Sequence, residues 1–285
     1  MRKLYIFMFI ILSFLGTAQD LEAIAKEIKD EGIKLYRSEM ASWYGTDVFL
    51  ANYKNNENIG GYFSYINNNV PVCIFFSKEN KVIGSVAFPA SYNPKDSRLD
   101  LTVRDFTNVE KEYFDIRQKA LQRIKTDTVF RAYQNTNLNL IPILDKSKPG
   151  QNKVYILTGT TQNNLVLFGN DYLVTFNKNN EIEKTEKLHK SLIGMKTKDE
   201  RLTNMVSGVH SHILPDWLYI TPTDICTLML YQQIHNLESY ITISKKYTSI
   251  WDCKNNNLAI MKTEDFEKMN KSIKKNPPRR KDLYH

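Results

Sequence analysis

The sequence predicts an α+β fold in which a mixed or antiparallel sheet is flanked by helices. Two observations carry that expectation. Two stretches of the N-terminal half space their apolar residues at helical intervals. Much of the rest alternates apolar and polar residues in short runs separated by asparagine-rich turns.

Taken in order, residues 20–42 place Leu21, Ile24, Ala25, Ile28, Ile33, Leu35, Tyr36 and Met40 at helical spacing, with a phase break and an expected weak point near Gly32. Three alternating runs follow, Gly61 to Ile66, Val70 to Phe76 and Lys81 to Phe88, parted by Asn67-Asn68-Asn69 and Lys78-Glu79-Asn80. They read as an antiparallel meander. Thr107-Asn108-Val109-Glu110 matches a capping box and opens a helix over 107–126. Strands are expected at Thr128 to Tyr133, Leu138 to Leu144, Val154 to Thr158, Asn164 to Phe168 and Tyr172 to Phe176. From Phe176 a hairpin turns through Asn179-Asn180, its second arm running into Leu188. The polar, Pro-Gly-broken segment Lys146 to Asn152 is the expected domain boundary.

The first eighteen residues read as a cleavable signal peptide. Arg2 and Lys3 precede the apolar run Leu4 to Leu12, and Gly16-Thr17-Ala18 supplies small residues before Gln19, the expected mature N-terminus. An uncleaved anchor is the alternative. The mature chain is then exported, periplasmic or extracellular, with no further stretch long enough to span a bilayer. The net charge of +8 is concentrated at the ends, because the last fifteen residues hold six Lys/Arg against Asp282. The body is close to neutral, so no nucleic-acid partner is expected; the tail reads as a solvated end with Pro277-Pro278. Cys73, Cys226 and Cys253 form no disulfide scaffold and no C-x-x-C pair; a Cys226–Cys253 bridge stays open.

Chemistry concentrates in residues 206–253. Val206 to Val209 reads as a short strand delivering His210 and His212, two apart and therefore on one face. After an irregular loop containing Trp217, a candidate to line a groove, Thr221-Pro222-Thr223-Asp224 opens a helix over 225–235, with Thr221 as N-cap, Pro222 at the first position and Asp224 at the third. Two imidazoles and that carboxylate can supply three ligands to one Zn²⁺, the fourth position left for water. Asp224 would also favour the helix dipole without any metal. His189, between Lys187 and Lys190, reads as a surface residue, and His235 as a cation at the helix C-terminus. A second hairpin, Tyr240 to Ser244 and Thr248 to Asp252, follows.

Gly208 to Asp224 resembles the signature of the JAB/MPN (JAMM) metallohydrolases, closest to divergent secreted bacterial members: His-Ser/Thr-His, a loop often carrying proline, then Ser-x-x-Asp at a helix start. His210-Ser211-His212 and Asp224 match it, and Thr221 stands where the family has serine. The resemblance covers about residues 150–260. It implies zinc held by His210, His212 and Asp224, hydrolysis of peptide or isopeptide bonds in a peptide or protein substrate, and an oxyanion-stabilising role for Thr221. The loop before Thr221 is one residue longer than the family's. The family's general base is a glutamate on an earlier core segment; the corresponding stretch, Thr160 to Gly169, has Gln162 and Asn163 and no acid. Gln162 is thus the candidate base position, and without a carboxylate a step worth roughly 10²- to 10⁴-fold is lost. The expected organisation is a signal peptide at 1–18, an α+β region at 19–148, a JAB/MPN-like domain at 149–262 and a basic tail at 263–285. The alternative is an inactive peptide- or protein-binding protein, or a structural protein of the cell envelope.

Overall fold

A computed structural model describes residues 2–145, 151–162, 165–196, 207–234 and 236–275, with side chains from residue 20 on, Lys274 excepted. The architecture is α+β, with four helices and fourteen strands among the described residues, the sheets mostly antiparallel.

Helix α1 (Arg2–Asn52) is the common support. Its Leu35, Ala41 and Phe49 are fully buried, and it touches strands of three sheets as well as the third helix. The backbone of the expected signal segment lies in α1, while its side chains lie outside the described set. Among the described residues no helix is long and apolar enough to cross a membrane. The expected weak point at Gly32 is instead a point of close approach. A Cβ there would sit 2.7 Å from the Cβ of Ile225, so the missing side chain lets two helices touch while α1 runs on unbroken.

Strands β1 (Ile59–Asn67), β2 (Val70–Ser77), β3 (Val82–Ala87) and β4 (Arg98–Asp100) form the expected meander, extended by one short strand. Asn68 and Asn69 both take positive φ, 45° and 66°, which the two-residue β1–β2 turn requires and asparagine tolerates. Helix α2 (Asn108–Thr126) opens with the anticipated capping box, Thr107 accepting from the Glu110 amide and Glu110 from the Thr107 amide. The buried Glu110 carboxylate also takes both arms of the Arg104 guanidinium, at 2.6 and 2.8 Å.

Strands β5 (Thr136–Ile143), β6 (Lys153–Thr160), β8 (Tyr172–Phe176) and β9 (Ile182–Lys187) make a second antiparallel sheet, and β7 (Leu165–Gly169) pairs with β10 (Leu192–Lys196). Two expectations change here. The boundary placed at Lys146 to Asn152 divides one sheet, since Ile143 of β5 pairs with Lys153 of β6 across it; residues 146–150 lie outside the described residues. Lys153 also reaches back 2.8 Å to Glu31 of α1, joining the two sides of that boundary. Thr128 to Tyr133 is no strand. Its Arg131 amide donates to the Tyr172 hydroxyl (2.9 Å) and its Arg131 carbonyl accepts from Asn170 (3.0 Å), so its polar backbone is satisfied by side chains at the sheet end.

The last sheet orders β11 (Ser207–Ser211), β12 (Ser239–Ile243), β13 (Tyr247–Asp252) and β14 (Asn257–Lys262). β11 and β12 are parallel, joined by α3 (Pro222–Tyr231); the other pairs are antiparallel. α3 is shorter than the expected 225–235, and His235 lies outside the described residues. Just past its end, Gln232 accepts from the fully buried Trp251 indole (3.0 Å) and donates to the Cys253 carbonyl (2.9 Å), fixing α3 to β13. Helix α4 (Thr263–Lys275) takes up the start of the basic tail, whose residues 276–285 lie outside the described set. All three cysteines are free and buried, and burial pushes the Cys253 thiol up to about 12.

Candidate metal centre

Three segments meet at the C-terminal end of β11. β11 carries His210, and His212 follows one residue beyond the strand, its amide continuing the ladder to the Ile243 carbonyl (2.9 Å). The period of two turns both imidazoles toward the start of α3. There Thr221 caps the helix and Asp224 sits at its third position, as the sequence predicts. The third segment is the loop after β9, which brings His189. Its position depends on Gly169 at the end of β7, which has φ +86°; a Cβ there would lie 2.3 Å from the Ser191 carbonyl oxygen and 3.2 Å from the His189 Cβ.

His189, His210, His212 and Asp224 are all buried, and one ligand atom from each falls within 4.8 Å of the others. Around the carboxylate, His189 Nε2 lies 3.1 Å from Oδ1, His210 Nε2 3.7 Å from Oδ1, and His212 Nε2 3.2 Å from Oδ2. A tetrahedral zinc with nitrogen and oxygen ligands about 2.0–2.1 Å away has ligand–ligand edges of about 3.3 Å, so the observed spacings bracket those of a coordination shell.

The polar bookkeeping of the cluster points the same way. His210 Nε2, His212 Nε2 and Asp224 Oδ1 are buried and lack a directional hydrogen-bond partner. Leaving such atoms unsatisfied costs about 1–3 kcal/mol each, and a cation placed among them satisfies all three. The outer atoms of His210 and His189 face other groups, whereas His212 Nδ1 is buried without a hydrogen-bond partner. His210 Nδ1 lies 3.2 Å from the Tyr240 hydroxyl, and His189 Nδ1 lies 3.6 Å from Asp171 Oδ2, while Asp171 Oδ1 accepts from the Thr158 amide. The Tyr240 contact sets which nitrogen of His210 faces inward, while Asp171 acts on His189 through its charge.

Electrostatics follow from burial and proximity. Desolvation pushes His210 down to about 4, keeping it neutral and its ring nitrogen free to ligate. Burial opposes a charge on His189, yet the Asp224 and Asp171 carboxylates outweigh it and hold its pKa above the ordinary value. Burial also works against ionised Asp224, but the histidines keep its pKa well below the usual carboxylate range. Asp171, desolvated, is raised to about 6.

The expected His210, His212 and Asp224 therefore converge, and His189 corrects the surface reading given to it. Its flanking lysines suggested exposure, but Leu188 beside it is buried and draws the loop inward. Thr221 is 1% exposed, and its hydroxyl donates to Asp224 Oδ2 at 2.8 Å while accepting from the Asp224 amide at 3.1 Å. That hydroxyl orients the carboxylate instead of facing a reacting carbonyl. Gln162 is exposed in the β6–β7 turn, its amide on Thr160 Oγ1 (3.0 Å). It precedes β7, whose opposite end, Phe168-Gly169, borders the centre, so the expected base position is not brought there; Asn163 lies outside the described residues. Trp217 packs on the core beneath β6 and β8 and donates its indole N–H to the Lys187 carbonyl (3.0 Å), lining no groove at the centre. A cavity of about 30 Å³, bordered by His189, Ser191, His210, Ser211, His212 and Ile213, is the opening beside the imidazoles.

Comparison of the chain with protein-family models, with curated proteins and with solved structures finds no match.

Proposed function

We propose that this chain is an exported metal-binding protein on a JAB/MPN-like scaffold, holding one Zn²⁺ through His189, His210, His212 and Asp224. The convergence of four buried donors, three with unsatisfied inward-facing atoms, is the observation that carries the reading. Three imidazoles and one carboxylate suit zinc better than the oxygen-seeking Mg²⁺ or Ca²⁺. With a fourth protein donor, the coordination shell is complete, as in structural zinc sites, whereas catalytic sites keep one position for water. Bound zinc would supply cross-linking of β11, α3 and the β9–β10 loop. In this reading the chain stands apart from the hydrolases its sequence resembles, and it acts by presenting a stabilised surface to a peptide or protein partner.

The cavity beside the imidazoles supports a second reading. It has room for about one water. Should His189 leave the shell, that water would occupy the hydrolytic position. Asp171 behind His189 would then be the neighbouring carboxylate that the geometry offers to orient it.

Metal analysis of the purified full chain separates these readings. One equivalent of zinc is expected, lost in His210→Ala and in Asp224→Ala. Turnover of a broad peptide library should not exceed that of the chelator-treated protein. Chelator-sensitive turnover would establish the second reading, and stoichiometric zinc persisting in both variants would reject the assigned ligands.

A further inference from the structure

A second cleft, separate from the metal centre, lies between α1, α3 and the β5–β6 edge, with a volume of about 540 Å³, within the range of small-molecule sites. Glu39 of α1 borders it and is only 5% exposed. Its carboxylate takes a hydrogen bond from Asn139 Nδ2 at 2.6 Å. Among the described residues, burial and that bond alone act on its ionisation, with no cation beside it. Burial raises its pKa from the ordinary 4.5 to about 7, the mark of a carboxylate without a countercharge.

Three aromatic side chains share the same wall. Trp43 stands at the rim, 43% exposed, with its ring edge-on to Tyr231 at 5.9 Å between centroids, and Tyr62 lies deeper beside Glu39. A large, exposed tryptophan next to a desolvated carboxylate is costly on both counts unless something covers them. Aromatic faces and a carboxylate share one preferred ligand, a cation with an apolar stem.

We propose that this cleft binds an organic cation, a primary ammonium or guanidinium group, whose charge pairs with Glu39 and whose stem lies against Trp43, Tyr62 and Tyr231. The ion pair supplies Glu39 with the countercharge it lacks, and the rings replace water along the methylene stem. A free amine and the end of a lysine or arginine side chain carry the same chemistry.

Titration of the full chain at pH 8, where Glu39 is mostly ionised, tests this through Trp43 fluorescence and calorimetry. The probes are n-butylammonium, n-butylguanidinium, a blocked tripeptide with a central lysine, and n-butanol as the neutral match. The cations are expected to bind about tenfold or more tightly than n-butanol. Preference for the tripeptide over n-butylammonium identifies a peptide side chain as the source of the cation, and the reverse identifies a free amine. Glu39→Gln, which keeps the volume and an acceptor for Asn139, should abolish the preference for cations; Trp43→Ala, at the exposed rim, should weaken every cationic probe. Equal binding of n-butanol and n-butylammonium by the wild type, which needs no variant to fold, overturns the proposal, as does undiminished cation binding by a folded Glu39→Gln protein.

Discussion

Replacing Glu39 by glutamine should stabilise the protein at alkaline pH and leave it unchanged in acid. Burial raises the Glu39 carboxyl from 4.5 to about 7 in the folded state. The folded protein therefore holds this proton more tightly than the unfolded chain does. The wild type has its full stability below about pH 4.5, loses it as pH rises through about 7, and has lost it above that. At 1.36 kcal/mol per pH unit, the difference amounts to about 3 kcal/mol. The substituted glutamine side chain resembles the protonated acid, and its carbonyl oxygen can accept the bond that Asn139 gives Glu39. Tyr62 and Tyr231 beside Glu39 are raised above the usual tyrosine value and Cys73 and Cys226 above the usual thiol value, so they stay neutral, and the Arg117 guanidinium that faces Tyr62 and Cys73 is common to both proteins. Urea unfolding of both proteins at pH 4.5 and pH 8 measures the effect. Expected is no difference beyond about 0.5 kcal/mol at pH 4.5 and a gain approaching 3 kcal/mol at pH 8, with the urea slope unchanged. Because other groups titrate alike in both proteins, they cancel. A pH-independent difference would refute the argument that desolvation governs this group. An excess of n-butylammonium at pH 8 should shrink the gain, since a bound cation relieves the charge in the wild type alone.

Three further outcomes follow from the site and the chain ends. Asp171→Asn should reduce zinc affinity by about 10- to 100-fold, through loss of the outer carboxylate charge that faces His189, while the far-ultraviolet spectrum stays the same; competition with a chromophoric chelator reads it. Gly169→Ala should cost about 1–3 kcal/mol, from the left-handed backbone and the contact with Ser191, and should lower zinc occupancy by displacing the His189 loop; thermal unfolding with and without chelator measures both. Protein recovered after export should begin at Gln19, and an N-terminal peptide retaining Met1 or Arg2 in mass spectrometry would show an anchor instead.

The parts of the fold visible in the sequence are those whose signals are local. The β1–β2–β3 meander, the capped α2 and the capped start of α3 each rest on periodicity or on side chains within four residues of the backbone they satisfy. His210, His212 and Asp224 were legible for the same reason, since strand period and helix cap fix their directions. His189 was not, because its burial depends on the close approach of the Gly169 and Ser191 backbones, from segments far apart in sequence. The β5–β6 pairing was hidden by Pro149-Gly150, which marks a hairpin connection as readily as a domain boundary. Gly32 misled in the opposite sense, its absent side chain serving a contact with Ile225.

The same contact bears on the order in which the protein assembles. α1 precedes the other elements described, and two of the surfaces that cover it, Ile225 of α3 and the β14 strand, lie far downstream of it in the chain. Until they join it, Ala41 packs on the β1–β2–β3 meander and Leu35 on the β5–β6–β8 sheet, but the face around Ala25 and Gly32 stays incompletely covered. Closure of so long a loop is slow. Completion of the core therefore waits for the C-terminal third, and a chain truncated before residue 222 exposes a sticky helix to whatever chaperone or protease is near.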